Sequence, residues 1–147
     1  MTTKLHEVDF YAWTRQQADA LRNEDFEALD LANLIEEIED MGSSKQDALE
    51  SRLEVLLRHL LKLLCLPNSN PARGWRLTVR EQRRQIARIL RKNPSLRPLV
   101  TELIGDVYAD AYEGASDDLE FDDLGEVALP VRCPWTVEQV LDLDWLP

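Results

Sequence analysis

Apolar residues return every three or four positions along most of this 147-residue chain, which is the spacing of helices with one buried face. Phe10, Trp13, Thr14, Gln17 and Leu21 share a face of a first helix ending near Arg22, and Asp9 is placed to cap it. Leu31, Leu34, Ile35, Ile38 and Met41 make the apolar stripe of a second helix. Asp30 opens it, and Gly42 suits the left-handed residue that closes a helix. Ser43 or Ser44 starts a third helix running to about Leu66, and Ser43 with Gln46 has capping-box spacing. Asn70-Pro71 and Asn93-Pro94 each pair a good N-cap with a proline at the first helical position, which predicts helices over about 71–92 and 94–113. Joints of a few residues force antiparallel neighbours.

After Gly114 the pattern stops. Residues 114–134 hold six acids, two glycines and two prolines, and read as an acidic surface loop. The ending is better specified: Thr136 and Gln139 have capping-box spacing, and Trp135 and Val140 are placed as a hydrophobic staple. Nothing alternates at period two over a useful length. The expected fold class is therefore all-α, an antiparallel bundle of four to five helices with a short docked C-terminal helix, formed by one domain over residues 1–147.

Charge changes this picture more than composition does. The net charge is −11, but residues 51–100 carry 12 basic and 2 acidic side chains. Residues 1–50 carry 4 basic and 13 acidic, and residues 101–147 carry 1 basic and 13 acidic. A basic middle lies between acidic flanks, while the overall field repels nucleic acid and anionic membranes. The most apolar run, LEVLLRHLLKLLCLP, is broken by Arg58, His59 and Lys62 and falls short of the roughly 20 residues of a membrane span. Cys65 and Cys133 match no metal or redox spacing, and the first ten residues lack a basic-then-apolar leader. A cytoplasmic protein with two reduced cysteines is expected.

Three constellations carry candidate chemistry. On helix two, Glu36 and Asp40 point away from the stripe while Glu37 and Glu39 flank it. If helices two and three form a hairpin, His59, at the edge of helix three, meets Glu37 or Glu39. Such a pair can hold a divalent metal or act as an acid/base couple, and it can equally be structural. The HExxH and Glu-x-x-His metal motifs are absent, no cofactor is expected, and His6 falls in a tail. Glu50, Glu54, Arg58 and Lys62 of helix three form a solvent stripe.

On helix four, Trp75, Val79, Ile86, Ile89 and Leu90 face the core with Gln82, which then needs a partner. Arg76, Arg80 and Arg83 line one edge and are expected to pair with carboxylates, from Glu102, Asp106, Asp110 and Glu113 or from helix two, where Glu36 belongs to the same candidate edge. Arg73, Arg84, Arg88 and Arg91 point outward, and Arg84, Arg88 and Arg91 are the candidate nucleic-acid contacts. In the acidic loop, Asp118, Glu120 and Asp122 alternate as in a calcium loop. Asp123 stands where the glycine belongs, and Leu129 where the bidentate glutamate belongs, so a solvated loop is expected.

Five blocks occur in order: DFYAWTRQQADALR, LDLANLIEEIEDMG, LESRLEVLLRHLLKLL, WRLTVREQRRQI and CPWTVEQVLD. Together they resemble the bacterial family catalogued as domain of unknown function twenty-nine, widespread in cyanobacteria and proteobacteria. The resemblance implies a small all-helical domain and carries no activity. Its blocks hold Glu36, Glu37, Glu39, His59, Trp75, Arg76, Arg80 and Arg83, and leave residues 114–130 outside. The leading expectation is a non-enzymatic, cytoplasmic protein-interaction or regulatory module whose partner is another protein or a second copy. The alternatives are a metal-dependent site at His59 with Glu37 or Glu39, and nucleic-acid binding through helix four.

Overall fold

A computed structural model describes residues 2–125 and 127–147. The chain divides into two compact units, residues 1–44 and 45–147. The described residues form six α-helices in order: α1 (Thr2–Val8), α2 (Phe10–Arg22), α3 (Leu31–Cys65), α4 (Ala72–Lys92), α5 (Val100–Phe121) and α6 (Val137–Leu141). The described residues contain no strand, so the fold is all-α.

The first unit is built on Trp13. Its ring is buried, and its indole N–H donates to the Asp30 carboxylate at 3.1 Å. The Asp30 backbone N–H donates to Gln17 Oε1 at 2.7 Å, and Asn33 Nδ2 donates to the Asp30 carboxylate at 2.8 Å. The Asn33 hydrogen bond is the main reason the Asp30 pKa falls below its ordinary value. Asp9 caps α2 as expected, its carboxylate accepting from the Ala12 N–H at 3.0 Å. His6 belongs to α1 rather than a tail, and it lies edge-on to Trp13 at 4.6 Å between ring centroids. Helix α2 ends with Glu24 at φ 54, where Asp25 N–H reaches back to the Ala20 carbonyl at 2.8 Å in a Schellman-type closure.

The expected break at Gly42 does not occur. Helices two and three are one helix of 35 residues, and Gly42, Ser43 and Ser44 are interior positions. Neither glycine nor serine forbids a helix; each lowers propensity by at most about 1 kcal/mol, and no proline intervenes before Pro67. Leu49, Leu53, Leu56, Leu57, Leu60 and Leu61 are fully buried, so core packing outweighs the weak Gly-Ser-Ser segment.

In the second unit α4 runs antiparallel to α3: Arg52 meets Gln82, and Lys62 lies over Trp75. Gln82 thus obtains its partner, accepting from Arg52 Nη1 at 3.2 Å. A 3-10 segment, Pro94–Leu99, then turns the chain into α5. Pro98 lies inside this segment, so the α-helix starts six residues later than expected, at Val100. Asn93 uses its amide to close α4, Nδ2 donating to the Ile89 carbonyl at 2.9 Å, instead of opening the next helix.

Helix α5 also runs past Gly114 to Phe121, so the first part of the expected 114–134 loop is helical. Ala111, Ala115 and Leu119 continue its buried stripe. Gly114 permits a close approach instead of a stop, because a Cβ there would lie 3.0 Å from the Arg58 guanidinium. Glu126, the last acid of the calcium-like run, lies outside the described residues. The expected capping box opens α6, with Thr136 Oγ1 accepting from the Gln139 N–H and the Gln139 side chain returning to the Thr136 N–H. Val140 is fully buried and Trp135 packs edge-on to Trp145 at 6.0 Å, so the C-terminal helix is docked as expected.

An uninterrupted α3 predicts that Gly42→Ala stabilises the protein by roughly 0.5–1 kcal/mol, since a Cβ at Gly42 meets nothing within 4 Å. Urea denaturation checks this. A loss of stability would instead mean that Gly42 ends a helix.

Candidate functional site

The most constrained polar cluster lies inside the second unit. Arg58 and Lys62, one turn apart on α3, both reach Asp118 near the end of α5. The Asp118 carboxylate accepts from Arg58 Nε at 2.7 Å and Nη2 at 2.5 Å, and from Lys62 Nζ at 2.9 Å. Lys62 is only 4% exposed, and its ammonium stands 5.0 Å from the centroid of Trp75. Arg58 supplies both nitrogens of its fork, and its hydrogen bonds are the main reason the Asp118 carboxyl is held down at about 2. Sequence placed Lys62 and Arg58 on a solvent stripe and Asp118 in a solvated loop. Both placements are corrected: Leu60, Leu61 and Leu63 are buried around Lys62, so its charge must find a partner inside. A lysine within a run of leucines was the available signal.

His59 sits half-buried beside this cluster without joining it. Its Nδ1 hydrogen-bonds the Val55 carbonyl at 2.8 Å, one turn back on its own helix. Burial pushes its pKa below 6.5, which favours the neutral ring at physiological pH. The expected meeting of His59 with Glu37 or Glu39 required a hairpin. On one continuous helix these residues stand roughly five to six turns apart instead. Glu37 bonds the other histidine, its carboxylate lying 2.7 Å from His6 Nε2, and Glu39 is exposed. Among the described residues no group of three or more His, Cys, Asp or Glu side chains converges for a metal ion.

The arginine edge of α4 also differs from expectation. Arg83 is 2% exposed but bonds no carboxylate. Its guanidinium donates to three carbonyls: Val140 O at 2.8 Å, Trp145 O at 2.5 Å and Gln139 O at 3.0 Å. Two of these belong to the end of α6, where carbonyls lack helical partners and favour a cation. Burial lowers the Arg83 pKa from its ordinary value. Arg76 Nη2 donates to the Pro67 carbonyl at 2.5 Å, and Arg80 is exposed. The carboxylates expected to pair with this edge lie elsewhere: among the described residues neither Arg73, Arg76 nor Arg80 has a carboxylate within ion-pair distance.

These arginines line a cleft of about 240 Å³ with Leu77, Val79, Leu143, Asp144 and Leu146. Its lining mixes apolar and basic side chains, with Asp144 the one acid. Arg84, Arg88 and Arg91 are exposed as predicted, and Arg84 lies 3.9 Å from Glu81. The two thiols are not activated: burial pushes both Cys65 and Cys133 above the ordinary cysteine pKa.

The first unit holds a surface that the sequence assigned to a core. Leu31, Ile35, Ile38 and Met41 on α3 are 60%, 55%, 64% and 68% exposed. Asn33, Leu34 and Glu37 are the half-buried members of that helix segment, and Glu36, Glu39 and Asp40 are exposed near the stripe.

A family model described as Domain of unknown function DUF29 matches residues 5–146. The chain belongs to this family. A crystal structure of an α-helical protein of unknown function from Rhodospirillum rubrum is similar to this DUF29 chain with a TM-score of 0.69 and 24% identity. The match covers 95% of this chain and 90% of that one, and it shows the shared fold. No curated protein matches the chain. No helix among the described residues of this DUF29 protein is long and apolar enough to cross a membrane.

Two predictions separate structural from surface charge. Asp118→Asn strands a buried ammonium and is expected to cost about 3–5 kcal/mol at neutral pH. A folded pKa near 2 against an ordinary 3.8 gives stability that is complete above about pH 4 and lost as pH falls toward 2. The gap between wild type and variant should therefore narrow across that window in denaturation curves, and a pH-independent gap would contradict the ion pair. Arg83→Ala is expected to cost about 3 kcal/mol or more because three carbonyls lose their donor. Arg80→Ala should change stability by less than about 1 kcal/mol. Thermal unfolding followed by tryptophan fluorescence compares the two.

Proposed function

We propose that this protein is a non-enzymatic interaction module working in a reducing, cytoplasmic compartment, and that its working surface is the apolar face of α3 in the first unit. One observation carries this reading: Leu31, Ile35, Ile38 and Met41 share one helical face and are all more than half exposed. Single exposed apolar residues are ordinary, but a row of four at helical spacing is a preformed seam for a partner helix or groove. The acids near it lower affinity for anionic surfaces and favour a basic counterpart. The chemistry elsewhere agrees with a binding role. Burial raises the pKa of both thiols, His59 Nδ1 is engaged on its own helix, and Lys62, Arg58 and Asp118 satisfy one another.

The test compares wild type with Ile35→Asp/Ile38→Asp. Both positions are exposed, so the fold should persist with stability changed by less than about 1 kcal/mol. Quantitative affinity capture at low salt should show a stoichiometric partner on wild type that the double variant loses. An identical set of bound proteins on both chains would overturn the reading.

A further inference from the structure

The same chain carries a surface complementary to this face. We propose that the partner of the α3 face is a second copy of the protein, which receives it in the basic cleft between α4 and the C-terminal segment. This inference rests on the reading of the α3 face as an interface and adds the identity of its occupant.

Charge selects among the ways two copies could meet. Residues 1–44, the unit that bears the stripe, carry 3 basic and 11 acidic side chains. Stripe against stripe would bring two such units together across a contact rimmed by Glu39, and like charges facing each other cost affinity. Residues 72–92 of α4 carry 8 basic side chains and 1 acidic one. On this helix Arg73, Arg76 and Arg80 are exposed with no carboxylate in ion-pair range among the described residues. Three exposed guanidinium groups without a carboxylate partner among the described residues, Arg76 donating only to the Pro67 carbonyl, leave positive charge open to recognition on a chain of net charge −11.

Shape and polarity agree with charge. The cleft lining offers Leu77, Leu143 and Leu146, all exposed, to an incoming apolar row. The α3 face offers such a row with acids beside it. Each surface lacks what the other supplies: the stripe has apolar side chains in need of cover, and the cleft has apolar cover with cationic groups around it. Because the two surfaces differ, the contact is heterologous, and it closes only if it is made reciprocally.

Sedimentation of the 147-residue chain over a concentration series tests this. Wild type should self-associate, and raising salt from about 50 to 500 mM should weaken association about tenfold or more. Ile35→Asp/Ile38→Asp and Arg76→Glu/Arg80→Glu should each be monomeric while keeping the wild-type helical circular dichroism. Mixed together, these two variants should regain a 1:1 complex, because one keeps an intact cleft and the other an intact stripe. Arg76→Lys/Arg80→Lys should retain association. A wild type that stays monomeric overturns the proposal, while loss of captured partners by the stripe variant would still sustain the interaction reading. An arginine variant that remains associated while the stripe variant does not overturns it in favour of stripe-on-stripe pairing. Failure of the mixture to form a complex also overturns it.

Discussion

Lys62 and Asp118 hold the second unit to a single arrangement. A buried ammonium is tolerated only with a carboxylate in reach, and the carboxylate that reaches it sits near the last turn of α5. That demand explains three features together. Helix α5 continues beyond Gly114, because Asp118 must be carried to Lys62 on a rigid element. Position 114 is a glycine, because Arg58 passes against the helix backbone on its way to the same carboxylate. Trp75 of α4 covers the remaining side of the ammonium with its ring. A slide of α5 along α3 by one turn would strand the charge, whereas the surrounding leucines would repack at smaller cost. The polar pair therefore specifies register in a core whose apolar part is nearly all leucine on the α3 side.

Arg83 plays the corresponding part for the C-terminal segment by a different chemistry. Its partners are neutral carbonyls, spread over Gln139, Val140 and Trp145. A planar fork with five donors can meet three acceptors on different residues, which an ammonium on a flexible stem does poorly. Taking carbonyls instead of carboxylates has a consequence for the surface. The acids of the chain are not consumed by α4, and Arg73, Arg76 and Arg80 keep their charge at the surface beside the docked C-terminus. The basic cleft and the buried clamp are thus two products of one arginine-rich helix, separated by which edge of it faces inward.

The all-α class, the Asp9 cap, the Thr136–Gln139 capping box, the core face of α4 and the need of Gln82 for a partner were legible in the sequence, because each rests on local periodicity or on a short-range hydrogen bond. The misreadings share a cause. Local pattern makes Gly42 and Gly114 look like stops, but glycine has no single meaning: one is an indifferent interior position and the other makes room for a guanidinium. The chemical type of Lys62 points to the surface, although the leucines on either side of it carry the contrary signal. Hairpin spacing pairs Glu37 with His59, but a helix at the N-terminus supplies His6 instead. In each case a long-range partner decided the outcome, and spacing along the chain does not encode which distant residue that partner is.

The stripe on α3 shows the same limit from the other side. Periodicity identified Leu31, Ile35, Ile38 and Met41 as residues that need burial, and the burial was assigned to the chain's own core. The structure leaves them on the surface of the first unit, where each exposed side chain forgoes roughly 1 kcal/mol or more of the stabilisation that full cover would give. An amphipathic pattern states that a face requires an apolar cover; it does not state that the cover is intramolecular. The surrounding charge then narrows the choice. Acids beside the stripe oppose pairing of like with like, and in the proposed contact the cover brings leucines and arginines together.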